Sequence, residues 1–158
     1  MKLLGALCIL SGGAGGFLAF LAAERRELRT LWDLSQAVGL IQSGVRWKKI
    51  PVPRIIEELS ERELSGVYFQ KVTESLKSGF PLQNAWEKGF RDLSGECGAA
   101  IRTMEWGGDE KQVLGALEYL RLTISAQYER RREELQRKGR LSAAAALCLA
   151  GVLVVILA

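Results

Sequence analysis

The residue types that ordinarily carry chemistry are thin in this chain. It has no histidine, so it can build no Ser-His-Asp or Cys-His nucleophile and no histidine-ligated zinc or iron site. Carboxylate neighbours occur at Glu57-Glu58 and at Glu61 and Glu63. Without a histidine or a cysteine cluster to join them they read as solvated helix faces. Cys8, Cys97 and Cys148 are odd in number and scattered, which points to reduced thiols and a cytosolic domain rather than a disulfide scaffold. Gly12-Gly-Ala-Gly-Gly16 lacks the Lys-Ser/Thr of a phosphate loop, and Leu18 stands where a dinucleotide fingerprint needs glycine. No catalytic, cofactor-binding or metal set emerges. The expectation is a non-enzymatic protein without a cofactor or small-molecule substrate.

Charge distribution says more. The 158 residues carry 22 Lys+Arg and 18 Asp+Glu, and every one except Lys2 lies between Glu24 and Arg140. Three segments result: an apolar end at 3–23, a polar domain at 24–140 and a second apolar end at 141–158. As a helix rising about 1.5 Å per residue, the first end is about 30 Å long, the thickness of a bilayer core. Both ends are therefore expected to be transmembrane helices. A cleaved signal peptide is the competing reading of the first, but the run exceeds the roughly 7–15 apolar residues of a signal core.

Basic residues set the expected orientation. Arg25, Arg26 and Arg29 follow the first apolar segment, and Arg130, Arg131, Arg132, Arg137, Lys138 and Arg140 precede the second. Positive charge gathers on the cytoplasmic side of membranes, so both flanks place the polar domain there. The same nine basic residues, Lys138 among them, are the candidate membrane-surface residues, attracted to anionic lipid. Nucleic acid is a poorer partner for Arg130 to Arg132, because a single-strand groove would interleave aromatics with the basic residues. Gly12 with Gly16, and Ser142 with Ala146 and Ala150, are small residues at the four-residue spacing of close transmembrane packing.

Helical periodicity runs through the polar domain, and no hairpin signature interrupts it. Leu31, Leu34, Val38, Ile41 and Val45 form one seam, broken at Ile50-Pro-Val-Pro53. Ile55, Ile56 and Leu59 mark a short second helix. Ser60 with Glu63 reads as a capping box for a third, through Val67, Tyr68, Val72 and Leu76 to Gly79. Pro81 opens a fourth with Leu82, Ala85, Trp86, Phe90 and Leu93 on one face; a weaker fifth surrounds Ala100, Ile101 and Met104. Asp109 with Gln112 caps a long last helix through Val113, Leu117, Leu120, Ile124 and Tyr128, with a short break at Gly139. The fold class is all-α, a six-helix antiparallel bundle flanked by two transmembrane helices. Trp32, Trp47, Trp86 and Trp106 are too dispersed to make a cofactor box, and the aromatic stripes read as core.

This layout resembles the stage III sporulation protein AB family over nearly the whole chain. The likeness rests on Leu4-Gly5-Ala6, Gly44, Pro51, Tyr68-Phe69 with Leu76 and Gly79, and Ala85-Trp86. It continues through Gly107-Gly108-Asp109 with Gln112, Lys138, and Gly151 with Val155-Ile156-Leu157. Gly108 departs from it, since a serine or similar polar residue is expected there. The resemblance implies a single-domain relative of the F-type platform proteins of type II secretion, anchored in the mother-cell membrane around the forespore. It further implies a part in the channel complex between the two cells, with other subunits and a cytosolic secretion-type ATPase as partners. Docking would use helix junctions far from the membrane: Gly79, Phe80, Pro81, Gly107, Gly108 and Asp109. The rival reading is a two-pass membrane adaptor or signalling protein unrelated to secretion.

Overall fold

A computed structural model describes the backbone of residues 2–157 and the side chains of residues 19–139. Among these residues every regular element is helical. Helix α1 covers Lys2–Ser43 and passes into a single π-helical turn, Gly44–Lys48. Four short helices follow: α2 (Val52–Leu59), α3 (Gly66–Lys77), α4 (Leu82–Gly89) and α5 (Gly95–Arg102). Helix α6, Glu110–Leu157, runs without interruption through Gly139, so the expected break there is absent. A lone glycine costs about 1 kcal/mol in a helix, too little to end one this long.

The seam in α1 packs as its spacing dictates. Leu31, Leu34, Val38 and Ile41 are buried, and they meet the buried Val113, Leu117, Leu120 and Ile124 of α6. Contacts between the two helices pair residues in opposite order. Lys138 meets Glu24 at 3.6 Å, Arg131 meets Glu27 at 3.7 Å, and the hydroxyls of Ser35 and Ser125 lie 3.1 Å apart. Lys49, just past the π turn, holds Glu110 at the start of α6. The first and last helices thus form an antiparallel two-helix stem.

The four short helices fold back and forth on one side of this stem around Ile56, Phe69, Trp86, Phe90 and Ile101, all fully buried. Trp86 and Phe90 lie 4.6 Å apart between ring centroids. The indole N–H of Trp86 donates to the carbonyl of Ile101 at 2.7 Å, satisfying its one polar atom inside the core.

Helix α3 begins later than a capping box at Ser60 and Glu63 would place it. The Ser60 hydroxyl instead donates backwards to the Glu57 carbonyl at 2.5 Å, closing α2. Asp33 on α1 claims the start of α3: its carboxylate accepts from the Ser65 backbone N–H at 2.9 Å and from the Ser65 hydroxyl at 2.6 Å. The same carboxylate accepts from Arg62, at 2.9 Å from Nε. Its side chain is only 17% exposed. Burial pushes the Asp33 carboxyl upward, but the bonds from Arg62 and Ser65 outweigh it and hold the group below its usual value of 3.8.

No helix among the described residues is long and apolar enough to cross a membrane. The expected transmembrane segments, 3–23 and 141–158, lie outside the described side chains apart from residues 19–23. So do their packing residues Gly12, Gly16, Ser142, Ala146 and Ala150.

A carboxyl whose folded-state pKa is depressed stabilises the fold fully above its unfolded value and loses that contribution as pH falls through the folded value. Asp33→Asn leaves the Arg62 charge unpaired, so the variant is expected to lose about 2 kcal/mol at pH 7. Denaturant titrations of the full chain in detergent should also show that the variant lacks the acid-side loss seen in the parent below about pH 4.

Candidate functional site

The stem gives the molecule two poles. The pole beyond Ser43 holds the Gly107–Asp109 turn that precedes α6, and the Gly79–Pro81 junction leads into α4, whose Gln83 reaches the chain just before that turn. Gly79 ends α3 with φ +86° and Gly108 precedes α6 with φ +122°, left-handed values that glycine adopts without the clash a Cβ would meet. Pro81 sits immediately before α4, and the neighbouring Phe80 is exposed, with the Lys88 ammonium 4.8 Å from its ring centroid. At the α6 start Asp109 behaves as its spacing predicts, accepting the Gln112 backbone N–H at 2.8 Å.

These two junctions, far apart in sequence, are tied together by Gln83. Its amide nitrogen donates to the Met104 carbonyl at 3.1 Å, and its amide oxygen accepts the Trp106 backbone N–H at 3.0 Å. Below them Trp106 meets Trp86 edge-on with centroids 4.8 Å apart. The sequence reading did not single out Gln83. A polar residue two positions after Pro81, beside a helix start, was the available signal.

The opposite pole carries the basic residues. Arg131 pairs with Glu27 across the stem, Lys138 with Glu24, and Arg132 with Glu129 at 3.6 Å on its own helix. Arg130 and Arg137 are exposed, while the side chain of Arg140 falls outside the described residues. Arg25, Arg26 and Arg29 are exposed on α1 and make no ion pair among the described residues. They border a 630 Å³ cleft with Leu21, Ala22, Leu64 and one carboxylate, Glu63. The eight described cations of α6 and α1 nearest this pole therefore divide: some brace the stem, and the three arginines of α1 make no ion pair among the described residues.

Chemistry within the head is quiet. Cys97 is buried and its thiol is pushed up to about 12 by desolvation alone, the opposite of an activated nucleophile. Among the described residues no group of three acidic, histidine or cysteine side chains could hold a metal ion.

The sequence model of the family described as stage III sporulation protein AB matches residues 2–158. The chain belongs to the stage III sporulation protein AB family. It is therefore a sporulation protein. No curated protein and no solved structure matches the chain. Within this AB-family chain, the feature that sequence reading passed over is the π turn itself. Trp47, which its spacing excludes from a cofactor box with the other tryptophans, is 75% exposed at the tip of the stem. One signal was present: between Asp33 and Glu57 the sequence has no carboxylate at all while carrying Arg46, Lys48, Lys49 and Arg54.

Gln83→Ala removes the link between the junctions and leaves the Trp106 amide without its acceptor. The expected result is a loss of about 1–2 kcal/mol. Hydrogen–deuterium exchange at residues 104–108 should accelerate by about ten-fold, while exchange at Phe69 and Val72 rises far less.

Proposed function

We propose that this AB-family protein is a non-enzymatic, membrane-anchored assembly subunit of the sporulation channel complex between mother cell and forespore. It acts as a platform that docks a cytosolic secretion-type ATPase and other subunits. The observation that carries this reading is the polarity of the stem. Because α1 and α6 run antiparallel, the uncharged segments at 3–23 and 141–158 both depart from the same pole, the one rimmed by basic residues. Two apolar segments leaving side by side through a basic collar suit a two-pass anchor with the head in the mother-cell cytoplasm. Arg25, Arg26 and Arg29, in no ion pair among the described residues, suit contact with anionic lipid headgroups, each contributing about 1 kcal/mol.

The other pole is then held away from the bilayer. From residue 19 to residue 47 a helix rising about 1.5 Å per residue covers about 40 Å, so the Phe80 and Gly108 turns stand where a cytosolic partner can reach them. Their fixed geometry, with Gln83 joining them, makes one rigid surface out of two junctions.

The test is direct binding of the channel complex's cytosolic secretion-type ATPase to the full chain held in lipid nanodiscs. Saturable binding is expected, weakened about ten-fold by Phe80→Glu, which places a charge on an exposed apolar anchor. Absence of binding to the parent chain contradicts the platform role.

A further inference from the structure

The most exposed tryptophan of the described head sits on its most irregular backbone. Trp47 lies in the π turn Gly44–Lys48, at the tip of the stem, and is 75% exposed. The π turn closes α1 at its C-terminus and sets the direction in which Trp47 leaves the helix. Here the turn is pinned on three sides. The Gly44 carbonyl accepts backbone N–H groups from Lys49 and from Ile50, the latter at 3.2 Å. Lys49 takes a left-handed φ of 50°, unusual for a residue with a side chain, and its ammonium is clamped by the Glu110 carboxylate. Gly44 is buried against Ile55, where any Cβ would press into that side chain.

A rigid base therefore presents a flexible chemistry set. The Arg46 guanidinium lies 5.2 Å from the Trp47 ring centroid, a cation–π arrangement that holds both side chains out together. Arg46, Lys48 and Arg54 are exposed and make no ion pair among the described residues. Glu110 is engaged by Lys49 and Asp109 by the Gln112 backbone, and Arg54 has Glu58 one turn further along α2, so Arg46 and Lys48 are the cations left over at the tip. The tip is thus an apolar anchor ringed by unneutralised cations. Tryptophan and arginine are the residues that dominate protein–protein binding energy when they enter a pocket, and pre-ordering them lowers the entropic cost of docking.

We propose that the π turn is a docking knob: Trp47 inserts into an apolar slot on a partner protein whose rim carries clustered carboxylates, which pair with Arg46 and Lys48. Charge complementarity selects this occupant, since Arg46 and Lys48 flank Trp47 in the chain and make no ion pair among the described residues. Anionic lipid is the wrong occupant, because the knob is at the pole opposite the basic collar of the apolar ends. The inference rests on the platform reading for which protein arrives, and on the π turn alone for which element receives it.

The experiment places a benzophenone amino acid at position 47 of the full chain in sporulating cells, with a second chain carrying it at Tyr119, also exposed. After irradiation, mass spectrometry identifies the attached segment. A crosslink from position 47 to an Asp/Glu-rich protein segment is expected. Its yield should fall about ten-fold when Arg46→Glu and Lys48→Glu are added at unchanged chain abundance. If that segment belongs to a protein other than the ATPase, the knob stands and the ATPase is not what it docks. If the ATPase crosslinks through position 119 and not through 47, the knob is overturned while the platform survives. Attachment of position 47 to lipid, to nucleic acid, to a second copy of the chain or to nothing also overturns the proposal.

Discussion

The antiparallel clasp between α1 and α6 is the constraint from which the rest of the molecule follows. It is built from two apolar seams in register, Leu31 to Ile41 against Val113 to Ile124, and closed at intervals by Glu24–Lys138, Glu27–Arg131 and Ser35–Ser125. The exposed ion pairs contribute little energy individually; burial of the seams supplies the adhesion and the polar pairs fix the register. Once that register is set, the chain has a pole where both apolar ends leave and a pole where both helices turn inward. Every functional feature belongs to one or the other.

The four short helices are held to this clasp at a few specific points. Asp33 reaches from α1 to organise Arg62 and Ser65, so the start of α3 is decided by a long-range carboxylate rather than by a local cap. Gln83 does the same for the far turns, and Trp86 fills the space between, its own indole N–H satisfied by the Ile101 carbonyl. Buried polar groups of this kind fix one arrangement among the many that apolar packing alone would tolerate. The consequence for function is a head whose turns keep their relative positions, as a docking platform requires.

Periodicity in the sequence exposed the helices with long apolar faces, because a 3.6-residue repeat is a local property. Leu31 to Ile41, Ile55 to Leu59 and the Asp109 cap lie where their spacing puts them. What stayed hidden depends on residues distant in sequence. Ser60 and Glu63 have the spacing of a capping box, but Asp33 competes for the same stretch from twenty-seven residues or more away and wins. Gly139 reads as a helix break, yet it lies within an unbroken α6. The π turn was invisible for a further reason: nothing in Gly44-Val-Arg-Trp-Lys48 distinguishes a π turn from the end of an α-helix. Only its pinning by Glu110 and Ile55 shows why Trp47 points outward rather than into the core.

Sidedness is where the account is most exposed to test. With the full chain expressed in the plasma membrane of growing cells, protoplasts can be treated externally with protease and the products mapped by mass spectrometry. The platform account predicts that the chain sediments with membranes and that residues 24–140 stay intact until the protoplasts are lysed. Cleavage within the head before lysis, or recovery of the chain in the soluble fraction, contradicts it.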